Sequence, residues 1–439
     1  MEQDERRGWY VVLLCMVAYI FSFIDRQILA LLIAPIQADL GISDTQFGLL
    51  HGLAFSLFYA TMGIPVATLS DRTSRPLIIA TGVAFWSAAT MACGLARSFP
   101  SLFLARICVG AGEAALSPAT YSLISTLFPK EKLGRAVAVY SLGSFLGSGI
   151  AFLAGGAVIA MVSGADSISL AGIDFRSWQL AFLIVGAPGL LLACVIHLTI
   201  KEPAPRGARG GGKDRPALKA VLAFLVRERA IFVPHMLGYT FAAMALFALL
   251  GWSPAYLMRS YGMTPAAAGL WLGVVIVFAG GGGVLASGWL MDRLTRGGVA
   301  DAPFRTGIVG ALGTLLPTGA LPFAPSFAFG MALLSIALFF ASFPMPPSTA
   351  VMQIIAPPTM RSRVSAIFLC SNSLIGLTLG SLAVGLLNDR LFSGAAAVGH
   401  SLGIVAACAS IIAAALLALG CRPYAAAQRA DQTATICVT

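Results

Sequence analysis

From Leu180 to Ile200 the chain reads LAFLIVGAPGLLLACVIHLTI, without one charged side chain. A helix that crosses a bilayer needs about 20 such residues, because its backbone polar groups find partners only inside the segment. Tyr10 to Ile24, Phe47 to Leu69 and Leu77 to Ala96 repeat the pattern. Across the 439 residues, 58% are hydrophobic and only 10% charged, against roughly 25% charged in a soluble domain. So few charges cannot clothe a water-facing surface, and most of the exterior must face lipid.

The same reading, carried along the chain, predicts twelve spans at 9–36, 46–70, 77–97, 101–128, 134–161, 178–200, 230–257, 264–290, 303–323, 325–348, 362–388 and 395–421. The first run is too long for the apolar core of a signal peptide and is expected to be a permanent span. The fold class is therefore an all-α membrane protein of two six-helix bundles. Their expected limits are 1–200 and 230–421, with a linker at 201–229 and a tail at 422–439. The net charge of +10 does not point to nucleic acid, because position decides its meaning. Of the 28 Lys and Arg, 22 fall in loops on the side of the N-terminus and four (Arg97, Arg176, Arg259, Arg390) on the other. That bias predicts both termini in the cytoplasm of a cell whose inner membrane the protein crosses.

The hydrophilic stretch from Lys201 to Arg229 opens with Pro203, Pro205, Gly207 and Gly210 to Gly212, a flexible composition. It continues with Leu218, Val221, Leu222 and Leu225 at helical spacing beside Lys219, Arg227 and Arg229. This predicts a short amphipathic helix on the cytoplasmic leaflet, the alternative being a solvated linker. Cys15, Cys93, Cys108, Cys194, Cys370 and Cys408 lie in apolar runs without CxxC spacing, so neither a disulfide framework nor a metal site is expected. Gly207-x4-Gly212-Lys213 lacks the Ser or Thr of a phosphate loop. Gly110-Ala111-Gly112 lies inside an apolar helix, where close packing explains the glycines better than a dinucleotide. No catalytic constellation is visible; the chain is expected to be no enzyme and to need no cofactor.

The halves also repeat. Asp71-Arg72-Thr73-Ser74-Arg75, between spans two and three, recurs as Asp292-Arg293-Leu294-Thr295-Arg296 between spans eight and nine. Arg135 and Arg363 precede Gly-rich spans five and eleven. The stretch Gly288 to Arg296 resembles the GxxxDRxGR loop motif of the major facilitator superfamily, with Thr295 in the later Gly position; the first copy has Ala67 and Ser74 in the Gly positions. In that family the motif locks the halves on the cytoplasmic side, and the resemblance implies a conformational gate at Asp71, Arg72, Arg75, Asp292, Arg293, Arg296, Arg135 and Arg363. Phe23-Ile24-Asp25-Arg26-Gln27 and Arg106-Ile107-Cys108-Val109-Gly110-Ala111-Gly112-Glu113-Ala114 resemble the Spinster branch. That resemblance implies transport of lysolipids or sphingoid phosphates, often proton-coupled.

Only Asp25, Arg26, Arg106 and Glu113 place charge deep inside predicted spans. Each costs at least about 2.5–3.5 kcal/mol at the bilayer centre, so such residues face a cavity or a partner. At 1.5 Å per residue, Asp25 lies roughly 16 Å from the outer end of span one and Glu113 roughly 19 Å from that of span four. The two acids are thus expected at one depth, as proton carriers. Arg26 and Arg106 would bind an anionic group of the substrate. The alternative is a static pair of salt bridges between spans one and four. The second half offers neutral candidates: Tyr239, Asn372 and Ser373 for substrate, beside His235 and Trp252. His51 and His197 are expected at the interface. The expected partners are an amphipathic small molecule, protons and membrane lipids, for a monomer. The rival expectations are a proton symporter of small organic anions or sugar acids, and a multidrug exporter.

Overall fold

A computed structural model describes residues 2–70, 73–162, 167–170, 173–202, 218–357 and 359–436. Among them, eleven helices are long and apolar enough to cross a membrane, from Arg6–Leu31 to Ala397–Arg429. They coincide with eleven of the predicted spans. The predicted second span is occupied by α3 (Asp44–His51) and α4 (Leu53–Ser70), which follow α1 (Glu2–Leu31) and α2 (Ile33–Leu40). The first half continues with α5 (Arg75–Cys93), α6 (Phe99–Glu113), α7 (Leu116–Leu127), α8 (Lys130–Val162) and α9 (Ser177–Thr199). An antiparallel hairpin, β1 (Ser167–Leu170) with β2 (Ile173–Arg176), joins α8 to α9.

The linker helix α10 (Leu218–Arg227) leads into the second half. That half holds α11 (Arg229–Tyr261), α12 (Pro265–Val275), α13 (Gly281–Arg296), α14 (Ala302–Ala320), α15 (Phe327–Ala341), α16 (Met345–Ile355), α17 (Arg361–Ser371), α18 (Thr378–Arg390) and α19 (Ala397–Ile436). Starts are chemically marked. Ser43, Ser74, Ser98, Thr264 and Ser326 cap α3, α5, α6, α12 and α15 by accepting from the backbone N–H three residues on. Span four breaks between Glu113 and Leu116, one turn before Pro118, whose missing N–H cannot bond the carbonyl of Ala114. Turns of π-helix at Ile276–Gly280 and Asn372–Leu377 interrupt spans eight and eleven.

Helix α10 forms where the apolar spacing predicts it, with a division of labour. Val221 and Phe224 are buried against Ile231, Phe232 and Val364 of the second half, whereas Leu218, Leu222 and Val226 stay exposed. The residues of the predicted flexible linker, 203–217, lie outside the described residues.

The halves meet on the face opposite the termini. There a Cβ on Gly52 would lie 2.9 Å from Thr378 Cα, and one on Gly269 would lie 2.6 Å from the carbonyl of Phe152. Backbones so close admit only glycine, which is how helix pairs without a hydrophobic drive associate in lipid. Ser56 and Thr378, one from each half, share a hydrogen bond of 2.6 Å between their hydroxyls beside this seam.

Candidate functional site

Ser22, Asp25 and Arg26 occupy one turn of α1; Arg106 and Glu113 lie two turns apart on α6, with Glu113 its last residue. Arg26 Nε donates to Glu113 Oε2 at 2.7 Å, and Ser22 Oγ donates to the same oxygen at 2.6 Å. Glu113 Oε1 is buried without a hydrogen-bond partner. The carboxylate is thus served on one oxygen only. The Glu113 side chain is 0% exposed and that of Arg26 18%, so the guanidinium is the member of the pair that solvent reaches.

Rings frame that guanidinium. Arg26 Cζ lies 4.4 Å from the Phe55 centroid, 4.8 Å from Tyr59 and 5.0 Å from Phe23. Such contacts hold a desolvated cation that has few polar neighbours. Tyr19 extends the wall, in contact with Phe23 and stacked on Tyr140 at 4.9 Å. The aromatic wall was legible only as pairs spaced four apart on two helices, Tyr19 with Phe23 and Phe55 with Tyr59, a spacing that puts each pair on one face.

Asp25 and Arg106 sit elsewhere. Consecutive helical residues point about 100° apart, and Asp25 turns away from Arg26 toward α5. Trp86 and Thr90 lie beside its carboxylate without reaching hydrogen-bond geometry. Arg106 Nη1 donates to the backbone carbonyl of Asp25 at 3.0 Å rather than to its carboxylate. Both side chains belong to residues 1% exposed. The four charges expected in one chamber therefore divide into a partly accessible pair, Arg26 with Glu113, and a sealed pair behind it. Phe55 joins the two, its ring centroid also lying 5.8 Å from Arg106 Cζ.

The neutral candidates of the second half also divide. Tyr239 is buried, and its hydroxyl donates to the carbonyl of Pro303 at 2.9 Å. His235 packs against it, bonded to the carbonyl of Ser348, and Trp252 Nε1 donates to the carbonyl of Ser381. Tyr239 and His235 are placed as internal packing of their half, whereas Trp252 also meets Phe47 of the first half edge to face, with ring centroids 5.4 Å apart. Asn372 opens the π-helical turn of span eleven, and its Oδ1 is buried without a hydrogen-bond partner; Ser373 follows it. Such turns recur at functional sites. His51, expected at the interface, is instead buried between the halves, where a Cβ on Gly251 would lie 2.8 Å from its ring; His197 is exposed.

Of the expected gate, Asp71 and Arg72 lie outside the described residues. Arg75 bonds Thr126 Oγ1 of the first half (2.6 Å) and Glu202 at the start of the linker (Nε to Oε1, 2.8 Å). Arg296 Nε donates to the carbonyl of Asp292 in its own helix, Arg293 lies over Trp289, and Arg135 over Trp9. None of these contacts joins one half to the other. Arg363 stands in the first turn of α17.

The opposite face carries the cross-half network that sequence reading missed. Arg259 on α11 holds Asp44 on α3 through Nη1–Oδ2 (2.6 Å) and Nη2–Oδ1 (2.7 Å). Gln37 and Asn388 donate to the same carboxylate, at 2.6 and 2.8 Å. Asp389 in turn accepts from the backbone N–H of Thr45 at 2.7 Å, at the start of α3. An acid at a helix N-terminus is favoured by the helix dipole. The signal present in the sequence was the Ser43-x-x-Gln46 capping box.

Residues 15–381 match the family model of the Major Facilitator Superfamily. The chain belongs to that superfamily. It is a multi-pass membrane transporter, not an enzyme. It is 30% identical over 93% of its length to an MFS-type efflux pump of Mycolicibacterium smegmatis, covering 91% of that protein. It is 26% identical to a probable L-galactonate transporter of Escherichia coli, over 82% of this chain and 80% of the other. Its fold superposes with a TM-score of 0.80 on a bacterial homolog of the human lysosomal transporter Spinster, in an inward-facing and unoccupied conformation. That pair shares 27% identity over 96% of this chain and 97% of the other.

Proposed function

We propose that this chain is a proton-coupled secondary transporter of an amphipathic anionic or zwitterionic substrate, of lysophospholipid or sphingoid-phosphate type, working as a monomer by alternating access. In this reading it lies in a bacterial inner membrane with both termini in the cytoplasm, the side on which basic loops are retained. The observation that carries it is the Arg26–Glu113 pair. While Glu113 is ionised, it and Ser22 occupy the guanidinium. A proton on Glu113 leaves Arg26 with an uncompensated charge in a poorly solvated place, and an anionic headgroup becomes its best partner. Release of the substrate restores the pair and expels the proton. Proton and anion thus bind as one neutral unit, without either needing a site of its own.

The apolar part of the substrate has a surface to meet. Phe23, Phe55 and Tyr59 stand around Arg26, and in the second half the buried charged side chains among the described residues reduce to Asp301, far off near the terminal face. Asn372 and Ser373 would take polar atoms of the substrate from that side. Asp25 and Arg106 fix the backbone of α1 under Arg26, Asp25 being a second, sealed acid. The likeness to the inward-facing Spinster homolog and the closed opposite face fit a state open toward the cytoplasm.

A second reading, a proton symporter of small sugar acids, is favoured by the similarity to the probable L-galactonate transporter. Uptake into liposomes under a proton gradient separates the two. The lipid reading expects a lysophospholipid to bind at least tenfold tighter than its water-soluble headgroup, since each buried methylene adds about 0.8 kcal/mol. Equal affinity for headgroup and lipid, together with uptake of galactonate, would replace it by the second reading. Glu113→Gln is expected to abolish proton-driven uptake while substrate counterflow persists; undiminished pH-dependent uptake removes the coupling role.

A further inference from the structure

Span ten, like span four, breaks midway: Ser342, Phe343 and Pro344 separate α15 from α16. Pro346 and Pro347 follow in the first turn of α16. Neither has an N–H, so the carbonyls of Ser342 and Phe343, four residues before them, lose their helical donors. A carbonyl buried at this depth must find a donor elsewhere. Ser287 of α13, wholly buried, donates its hydroxyl to the carbonyl of Phe343 at 2.6 Å.

A second interruption lies beside the first. Span eight passes from α12 to α13 through its π-helical turn, and a Cβ on Gly280, the last residue of that turn, would lie 3.5 Å from Ser342 Oγ. Turns of this kind are points at which helices bend. Space is unevenly shared around them. Gly281, the next residue, has nothing within 4 Å of a Cβ, whereas one on Gly283 would stand 2.0 Å from the carbonyl of Phe339. Thus α13 is loose where it leaves the π turn and gripped where it meets the break of span ten. On the other side of the turn, α12 is packed on α8, a Cβ on Gly273 lying 2.5 Å from Leu153.

We propose that Ser287 is a positioning residue of the transport cycle. Through the carbonyl of Phe343 it couples α13 to α16, so that these segments of spans eight and ten, on the side of the termini, bend as one unit. The axis of the bend runs through Gly280 and Ser342. The cytoplasmic mouth then narrows while the α8–α12 seam stays packed. That narrowing rests on the reading of a state open toward the cytoplasm; the coupling of α13 to α16 does not.

The test places spin labels in the full-length protein at Thr295 of α13, Gln353 of α16 and Leu419 of the unbroken α19, all exposed. The Thr295–Gln353 distance is expected to be single and narrow. Ser287→Ala should broaden it by raising the uncoupled population about fivefold, the worth of one neutral hydrogen bond. Ser287→Thr keeps the hydroxyl and should restore it. In Gly269→Leu, which crowds the seam, the distances from Thr295 and Gln353 to Leu419 should change together, since a rigid second half would alter neither. Deletion of Phe278 from the π turn should leave an ordinary helical turn and hold both distances still, so the axis is tested even if Ser287→Ala fails to fold. A Thr295–Gln353 distance as narrow in Ser287→Ala as in the wild type overturns the proposal, as does movement of one label without the other. A further label at Leu198 of α9, paired with Leu419, reports whether Gly269→Leu has moved the halves at all. If it has, and neither distance within the second half changes, that half is rigid and the proposal is overturned. If it has not, the reading of a cytoplasm-open state fails, and the Ser287→Ala comparison alone decides the coupling.

Discussion

Arg259 and Asp44, one from each half, form a two-pronged ion pair on the face opposite the termini, with Nη1–Oδ2 at 2.6 Å and Nη2–Oδ1 at 2.7 Å. A planar guanidinium matched to a carboxylate fixes direction as well as distance, so the pair can form only when that face is shut. Hydrogen bonds to charged groups contribute about 1.5–3 kcal/mol. Arg259 is 30% exposed, which places the pair at the lower end. Asp44→Asn and Arg259→Gln should therefore each shift the population toward the state open on this face by about tenfold. Distances between spin labels on the two halves would report the shift. Unchanged distributions in both variants would make the pair a bystander.

The same carboxylate sets a pH expectation. Burial pushes Asp44 upward, but the bonds from Arg259, Gln37 and Asn388 outweigh it and hold its carboxyl below the ordinary range. A group with a lowered folded value stabilises its state fully above the unfolded value, about pH 4 for Asp, and loses that contribution only as pH falls through the lowered value. From pH 5 to 8 the Asp44 lock should be constant. Any pH-dependent closure in that window is expected to persist in Asp44→Asn and to vanish in Glu113→Gln. The reverse pattern, read from the same label distances, would move the proton switch to the outer face.

The spans were legible because charge-free runs of membrane length have no other use; eleven helices coincide with them, with ends that differ by up to eight residues, as at Arg429 against the expected 421. The buried charges of spans one and four were legible for the same reason: an arginine or acid in lipid demands a partner. Their partition was not. Whether Arg106 meets a carboxylate or a backbone carbonyl depends on the rotation of α1 against α6, which no spacing within either helix fixes. The Asp44 network was hidden more deeply. Asp44, Arg259, Asn388 and Asp389 stand at span ends, where polar residues are ordinary, and only the meeting of α3 with α18 and with the end of α11 brings them together. Tyr239 invites a substrate reading because its aromatic hydroxyl stands mid-span; its bond to the carbonyl of Pro303, 64 residues on, could not be read from the sequence.

Phe55 has two guanidiniums beside it, Arg26 Cζ at 4.4 Å and Arg106 Cζ at 5.8 Å from its centroid. Leucine would fill most of the space but lacks the negative ring face. Each such contact contributes about 0.5–2 kcal/mol, more where the cation is desolvated. Phe55→Leu should destabilise the protein by roughly 1–3 kcal/mol on that scale, and Phe55→Tyr by much less. Because Arg26 would also lose its seat, substrate affinity should fall in Phe55→Leu. Melting curves with and without substrate check both; a leucine variant as stable as the wild type would reduce the ring to packing volume.

The second seam between the halves, α8 against α12, tests closure without touching a charge. A Cβ on Gly269 would sit 2.6 Å from the carbonyl of Phe152 and 3.0 Å from Gly156 Cα, backbone atoms that cannot rotate away. Gly281, on α13, has nothing within 4 Å of such an atom. Replacing either glycine raises helix propensity by up to about 1 kcal/mol, so propensity alone favours both changes. Overpacking at the seam costs typically about 1–3 kcal/mol, and only in the state where that face is closed. Gly269→Leu should therefore populate the state open on the face opposite the termini by about five- to a hundredfold, while Gly281→Leu should leave the balance alone. Accessibility of a single cysteine placed between the halves on that face, measured with a membrane-impermeant thiol reagent, distinguishes them. Equal labelling of the two variants would mean that α8 and α12 do not form the closing surface.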